Sequence, residues 1–179
     1  MISENAKNLH RGAGKTHKLV RKYFNKNDSQ EDIEFVANLY RKRPPNTRAV
    51  KTPADWLFIH DFISCLRPTS VIEIRIASGM SSALILSSMK KNGLLQEHIN
   101  DKKLHSFDIL EYVPWDNEQK LPVGFAVEKI FEGHNLESVW SLNLKKTSLD
   151  LTKSLAINLG NKPLAFVDGN HSHPWPLID

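Results

Sequence analysis

The spacing of apolar positions in the first third of the chain predicts an amphipathic helix. Apolar side chains recur there at the three- and four-residue intervals of one helix face, at Ile33, Val36, Ala37 and Tyr40. The helix is predicted to begin at residues 28–31, because Asp28 and Glu31 have the spacing of a capping box. It is predicted to stop before the prolines at positions 44 and 45.

A second helix is predicted directly after it. Thr52 is a favourable N-terminal cap, and Pro53 suits the first helical turn. The apolar face consists of Trp56, Ile59, Phe62, Ile63 and Leu66. The pair at positions 67–68, arginine and proline, ends the helix.

From residue 70 onward, short apolar runs alternate with stretches of helical spacing. The runs predict strands at residues 71–76, 103–110, 142–144 and 163–168. The stretches between them predict helices at residues 82–91, 124–138 and 149–159. Strands that alternate with helices predict βαβ units and a parallel sheet, which is the α/β class. Ligands of such sheets bind beyond the carboxyl ends of the strands.

Composition narrows the class of protein. The chain has 179 residues, 40% of them hydrophobic and 25% charged, which is typical of a globular domain and excludes a disordered chain. No run approaches the roughly 18 apolar residues of a membrane span. Cys65 is the only cysteine, so no intrachain disulfide can form, and we expect a cytoplasmic protein.

Charge divides the chain into two parts. Residues 1–51 carry 12 basic and 5 acidic side chains, net +7, whereas residues 52–179 carry 12 and 15, net −3. We therefore expect a basic helical N-terminal extension, residues 1–51, followed by an α/β domain, residues 52–179. The extension lacks zinc-ligand spacing, and nucleic acid is not favoured as its partner.

Three elements in the second part resemble a known family. Residues 71–82, VIEIRIASGMSS, resemble the first motif of class I S-adenosylmethionine-dependent methyltransferases. They are most similar to the small-molecule O-methyltransferase and cephalosporin-hydroxylase-like branch, which tends to have E-I-G-x-x-x-G-x-S. Residues 106–109 resemble the acid that follows the family's second strand, and residues 167–172 resemble its D-G-x-H-S element. The resemblance covers about residues 53–179 and implies a Rossmann-like, doubly wound, mostly parallel sheet.

The resemblance implies a site for S-adenosylmethionine. The implied cofactor-binding residues are Glu73, Arg75, Ala77, Gly79, Ser81 and Asp108. Gly79 would let the backbone pass close to the methionine part of the cofactor. Asp108 would accept hydrogen bonds from both ribose hydroxyls, and Glu73 would organise the loop and the cofactor's amino group. The implied activity is methyl transfer to an oxygen of a small-molecule acceptor.

The implied catalytic residues follow the fourth predicted strand. His171 would remove the proton from the acceptor hydroxyl, since an imidazole titrates near neutral pH. Asp168 would orient that histidine or bind a divalent metal such as Mg²⁺ through its carboxylate oxygens.

Arg75 departs from the family's pattern, which has a glycine at this position. An arginine must swing aside, or it must reach the cofactor's carboxylate as a charged donor. The departure keeps open a second hypothesis, a methyltransferase-like module that has lost catalysis and serves in binding. A third hypothesis, a nicotinamide-binding Rossmann protein, would require G-x-G-x-x-G, but residues 75–80 contain one glycine.

The fourth predicted strand is expected at an edge of the sheet. In the family it lies beside the first strand, with further strands beyond it. The chain stops at Asp179, about eleven residues after this strand. Apolar parallel strands are normally covered, and exposed edges pair with other chains. We therefore expect either a truncated gene product or a second polypeptide, such as another copy in a homo-oligomer, that covers residues 164–167.

Overall fold

The computed structural model of the protein describes residues 29–48, 52–95, 102–116, 120–147 and 159–168, together with residues 22, 118 and 150. The helices are α1 (Gln30–Arg41), α2 (Pro53–Leu66), α3 (Met80–Lys91), α4 (Phe125–Ile130) and a 3₁₀ turn at Leu136–Ser138. The strands are β1 (Ser70–Ile74), β2 (Leu104–Asp108), β3 (Trp140–Leu144) and β4 (Pro163–Val167).

Within these residues the strands form one parallel sheet in the order β3-β2-β1-β4. The prediction of an α/β fold with a parallel sheet is confirmed, and the arrangement is Rossmann-like. The chain moves outward from β1 to β3 and then returns to the other side of β1, so the strand order reverses between β1 and β4. The predicted helix at 149–159, which the doubly wound form requires in this return, lies outside the described residues except at its ends.

β4 lies at the edge of the described sheet, as predicted. Its residues alternate between exposed and half-buried, and Val167 is 49% exposed. Leu164 and Phe166 pack against the hydrophobic core, whereas the alternate positions face away from it.

One hydrophobic core unites the helices with the sheet. Ile33 and Val36 of α1 belong to the same buried cluster as Trp56 of α2, Leu84 of α3 and Val71 of β1. The predicted boundary at residue 51 therefore falls between two helices that share this core.

A buried network of polar side chains also connects α1 with α2 and α3. The ring of His60, which is fully buried, contacts the Asp32 carboxylate through Nε2 at 3.1 Å and the Ser88 hydroxyl through Nδ1 at 3.0 Å. Ser88 and His60 are both inaccessible to solvent, so this serine–histidine–aspartate set joins α1, α2 and α3 and offers no nucleophile to a substrate.

Two helix predictions require correction. The cap of α1 is Ser29, whose hydroxyl accepts the Asp32 N–H, and the predicted cap Asp28 lies outside the described residues. The predicted helix at 124–138 is too long: α4 begins at Phe125 and ends at Ile130, and the 3₁₀ turn at Leu136–Ser138 occupies the end of the predicted range. Gly133, with φ +83°, stands between them and interrupts the helical geometry. The predicted cap of α2, Thr52, is confirmed, and in the structure Asp55 completes a capping box with it.

The described helices include none with the length and apolar character that a bilayer crossing needs.

Candidate functional site

The carboxyl ends of three strands meet where the strand order reverses. The loop at residues 75–79 leaves β1 and leads into α3, Asp108 ends β2, and Asp168 follows β4. Because β1 lies between β2 and β4, this loop lies between the two acids. Open α/β sheets bind ligands at such a reversal, so the sheet brings these predicted site residues to one edge.

The loop has an unusual backbone. Arg75, Ala77 and Gly79 have φ values of +69°, +51° and +87°. This left-handed region suits glycine, but it costs a residue with a Cβ atom on the order of 1–2 kcal/mol. The predicted strand at 71–76 therefore ends at Ile74, because Arg75 cannot continue the extended backbone in this conformation.

Asp108 is the main support of the loop. Its Oδ2 accepts the N–H of Ile76 at 2.9 Å and the N–H of Ala77 at 3.1 Å. Its Oδ1 accepts the N–H of Leu110 at 2.9 Å. The sequence predicts a role for Asp108 in binding a ribose. In the structure, its hydrogen bonds also stabilise the conformation of the loop.

Gly79 is required by the protein's own packing. A Cβ atom at this position would lie 2.8 Å from the Cα of Gly124 and 3.0 Å from the carbonyl oxygen of Gly124. The start of α4 is hydrogen-bonded to the loop at the same place, from the Gly124 N–H to the Ala77 carbonyl at 2.9 Å. The sequence predicts that a glycine at position 79 allows a cofactor to approach the backbone closely. In the structure, the group that lies close to Gly79 is the backbone of Gly124, directly before α4.

Glu73 lies fully buried beneath the loop. Its Oε2 accepts hydrogen bonds from the hydroxyls of Ser82, at 2.5 Å, and Ser106, at 2.9 Å. Among the described residues, no hydrogen bond reaches its other oxygen, Oε1. Burial raises the pKa of Glu73 above its ordinary value, and the charge of Asp168 adds to that rise, while nearby serine hydroxyls oppose it.

The Arg75 side chain is exposed at the same edge. Within the described part of the chain, its guanidinium has no hydrogen-bond or ion-pair partner. The sequence left open whether this side chain swings aside or contacts a ligand, and the exposed position is compatible with both.

The remaining predicted residues differ in position and burial. Ser81 is half-buried in the first turn of α3. Asp168 is half-buried, and its backbone N–H donates to the Ile74 carbonyl at 3.1 Å. His171 lies outside the described residues. The described residues contain no group of three or more histidine, cysteine, aspartate or glutamate side chains arranged to hold a metal ion.

Sequence reasoning missed an apolar surface at this edge. Ile109, Leu110 and Tyr112 directly follow Asp108, and their side chains are 64%, 39% and 50% exposed. The sequence carries a signal for this surface, since the predicted strand at 103–110 ends on apolar residues beyond its last acid. The prediction places Ile109 and Leu110 inside the strand, whereas β2 ends at Asp108.

A scan of the sequence against protein-family models finds no match, and a search of curated proteins finds none either.

Proposed function

We propose that the protein transfers a methyl group from S-adenosylmethionine to an oxygen of a small molecule. The observation that carries the proposal is the hydrogen bonding of the Asp108 carboxylate to the loop after β1, at the reversal of strand order. Residues 71–82 and 106–109, which resemble the methyltransferase family, reach this edge of the sheet, and the third such element begins there at residues 167–168.

The residues at this edge fit such a cofactor. Asp108 Oδ1 accepts one N–H, so one lone pair remains for a ribose hydroxyl. Glu73 Oε1 is a buried acceptor to which no described donor is bonded, below the loop that would carry the methionine part. When bound, the cofactor supplies an electrophilic methyl group. Ser81, in the first turn of α3, would present its backbone N–H to it. Gly79 precedes that turn, and its own N–H donates to the Ile76 carbonyl at 2.9 Å.

The protein's own part in the chemistry is proton removal. His171, three positions after Asp168, is the proposed base for the acceptor hydroxyl, and Asp168 is its proposed orienting group. Asp168 is also the proposed ligand of a divalent ion such as Mg²⁺, which commonly keeps several waters when protein carboxylates bind it.

One observation favours a second candidate function, a binding module without catalysis. Arg75 occupies the left-handed position that the family fills with glycine, and its side chain stands at the ligand edge. A side chain there restricts how closely a cofactor can approach.

The remaining parts of the proposal concern location and partners. We place the protein in the cytoplasm, because its single cysteine suits a reducing compartment. We also propose that a second polypeptide, either another copy or a different chain, pairs with the exposed edge of β4.

Calorimetric titration of the purified chain tests the cofactor. S-adenosylmethionine is expected to bind, and NAD is not. Asp108→Ala should weaken that binding by roughly 1.5–3 kcal/mol, the scale of a charged hydrogen bond. Glu111→Ala removes an exposed carboxylate from the same edge and should leave the affinity unchanged. Equal affinities for Asp108→Ala and the parent would remove Asp108 from the site, and NAD binding in place of S-adenosylmethionine would end the proposal.

Turnover with labelled cofactor separates the two candidate functions. If His171 is the base, the rate should rise with pH through its titration, and His171→Ala should lose roughly 10²–10⁴-fold in turnover. A chain that binds the cofactor but never transfers the methyl group is the binding module.

A further inference from the structure

The large apolar side chains that are exposed in the described part of the chain are concentrated at the candidate site. In the described ranges, the large hydrophobic residues that are exposed are Ile109, Leu110, Tyr112 and Val167. Three of them follow β2 directly, and Val167 is the last residue of β4. Clustered exposed apolar side chains mark binding surfaces, whereas scattered ones need no explanation.

Arg75 lies between the two parts of this apolar surface. β1 separates β2 from β4, and Ile74 is paired with Phe107 on one side and with Val167 on the other. The next residue, Arg75, therefore emerges about one strand spacing, roughly 5 Å, from the backbone of each neighbouring strand. We call Arg75 with Ile109, Leu110, Tyr112 and Val167 the carboxyl-edge patch.

The backbone conformation at Arg75 indicates a functional role for its side chain. Its φ of +69° costs stability that a glycine at this position would not lose. No described group pairs with its guanidinium, so within the described residues no ion pair offsets that cost. A strained residue whose charge meets no described partner is well placed to bind a ligand.

The charges around the patch favour a ligand with one negative charge. Lys145, at the end of β3, is paired with Glu111 at 3.0 Å. Asp108 already accepts three backbone N–H groups, and Asp168 is half-buried beside the loop. Arg75, a single cation without a described partner among these carboxylates, balances a carboxylate better than it balances a doubly charged phosphate.

We propose that the carboxyl-edge patch binds a small organic acid, with its carboxylate on Arg75 and its apolar ring or chain against Ile109, Leu110 and Tyr112. We identify this acid with the methyl acceptor of the site, and that identification rests on the proposed function. The acid's carboxylate and the Arg75 guanidinium form the charged contact, and the apolar rim gives affinity for the body of the molecule.

The first test uses a matched pair of probes without cofactor. 3-Phenylpropanoate and its neutral isostere, 3-phenylpropanamide, are titrated into the purified chain, with ligand-observed NMR as the readout. The acid should bind at least roughly tenfold more tightly than the amide, the scale of one charged hydrogen bond. Acetate, which lacks an apolar body, should bind more weakly than the acid. Equal binding of acid and amide overturns the proposal.

Variants then locate the binding. Arg75→Gln should reduce affinity for the acid to that of the amide, and Tyr112→Ser should weaken both probes. The matched control is Arg67→Gln, because Arg67 is also exposed and left-handed, with φ +47°, but precedes β1 at the opposite edge of the sheet. The control should leave the affinity for the acid unchanged.

Titration of the same variants with S-adenosylmethionine, which carries a carboxylate of its own, identifies the source of the anion. The proposal requires that Arg75→Gln weakens binding of the acid by a larger factor than it weakens binding of S-adenosylmethionine. If it weakens only the cofactor, the carboxylate on Arg75 is the cofactor's and the proposal is wrong. If the acid binds through Arg75 and S-adenosylmethionine does not bind at all, the patch stands as an acid site and the proposed function fails.

Discussion

Arg75 combines a backbone cost with an exposed charge, and the two can be separated by substitution. Arg75→Gly removes the side chain and also the Cβ atom that makes φ +69° unfavourable. Arg75→Ala removes the same charge but keeps the Cβ atom. We expect the glycine variant to be more stable than the alanine variant by about 0.5–1 kcal/mol, after the flexibility of glycine in the unfolded chain is included.

Urea denaturation of the two variants measures this difference. Equal free energies of unfolding would mean that the left-handed conformation at residue 75 costs nothing, and the argument from strain would fail.

Glu73 should make the stability of the protein depend on pH. Its pKa in the folded state is raised above the ordinary value of 4.5 because burial disfavours its charged form. Between the unfolded and folded pKa values, the folded state holds a proton that the unfolded state has lost. The free energy of unfolding therefore decreases as pH rises through this window, by at most about 1.4 kcal/mol per pH unit from this group.

Glu73→Gln cannot titrate and removes this decrease. The variant's stability relative to the parent should rise as pH increases above the ordinary pKa of about 4.5. Glu128→Gln, at an exposed position of α4, serves as the control and should follow the parent's curve. A constant difference between Glu73→Gln and the parent across this range would show that Glu73 does not carry the pH dependence.

At the level of elements, the site depends on how closely the loop after β1 approaches the start of α4. The two segments are joined by hydrogen bonds from Gly124 to Ala77, and from Ala126 to Ser78, both at 2.9 Å. The contact needs glycine at position 79, where a Cβ atom would lie 2.8 Å from the Gly124 Cα. Gly124 is itself required by β3, because its Cβ atom would lie 2.8 Å from the Trp140 ring.

Gly79→Ala tests the approach. The added Cβ atom would clash with the Gly124 backbone, which cannot move away as a flexible side chain could. In addition, residue 79 has a φ of +87°, which disfavours alanine. We expect the free energy of unfolding to fall by about 2–4 kcal/mol. Gly93→Ala is the matched control, because Gly93 is also left-handed, at +67°, but has nothing within 4 Å of an added Cβ atom.

The Gly93→Ala control measures only the cost of placing alanine in a left-handed conformation, which should lower the free energy of unfolding by about 1 kcal/mol. If both variants lose the same stability in thermal or urea denaturation, the close packing of Gly79 on Gly124 is not what requires the glycine.

For the whole molecule, the important feature is that α1 belongs to the same core as the sheet. Val36 is completely buried in that core, whereas Asn38, two residues later on the same helix, is exposed. Val36→Asp places a charge in the core and should cost about 4 kcal/mol or more, while Asn38→Asp should change stability by less than about 0.5 kcal/mol.

Hydrogen exchange of the β1 amides shows whether the loss is cooperative. Because α1 and β1 share one core, Val36→Asp should reduce protection in β1 as well as in α1. Unchanged protection in β1 would mean that α1 is a separate unit, as the division of charge at residue 51 suggested.

Local interactions determined much of the fold, and these could be predicted from the sequence. The start of α2 depends on Thr52, Pro53 and Asp55, which lie within one helical turn. The strands β1 and β4 follow from continuous apolar runs, and their alternation with helices predicts the parallel sheet. The predicted acids Asp108 and Asp168 do lie at the carboxyl edge, because parallel strands end at the same side of a sheet.

Tertiary contacts decided the details of the site. Arg75 and Ala77 adopt left-handed conformations that their residue types disfavour, held there by Asp108, some 30 residues away in sequence. The requirement for glycine at position 79 comes from Gly124, and the exposure of Ile109 and Tyr112 from the end of β2. Sequence patterns report the preferences of neighbouring residues, whereas these features result from packing between segments that are distant along the chain.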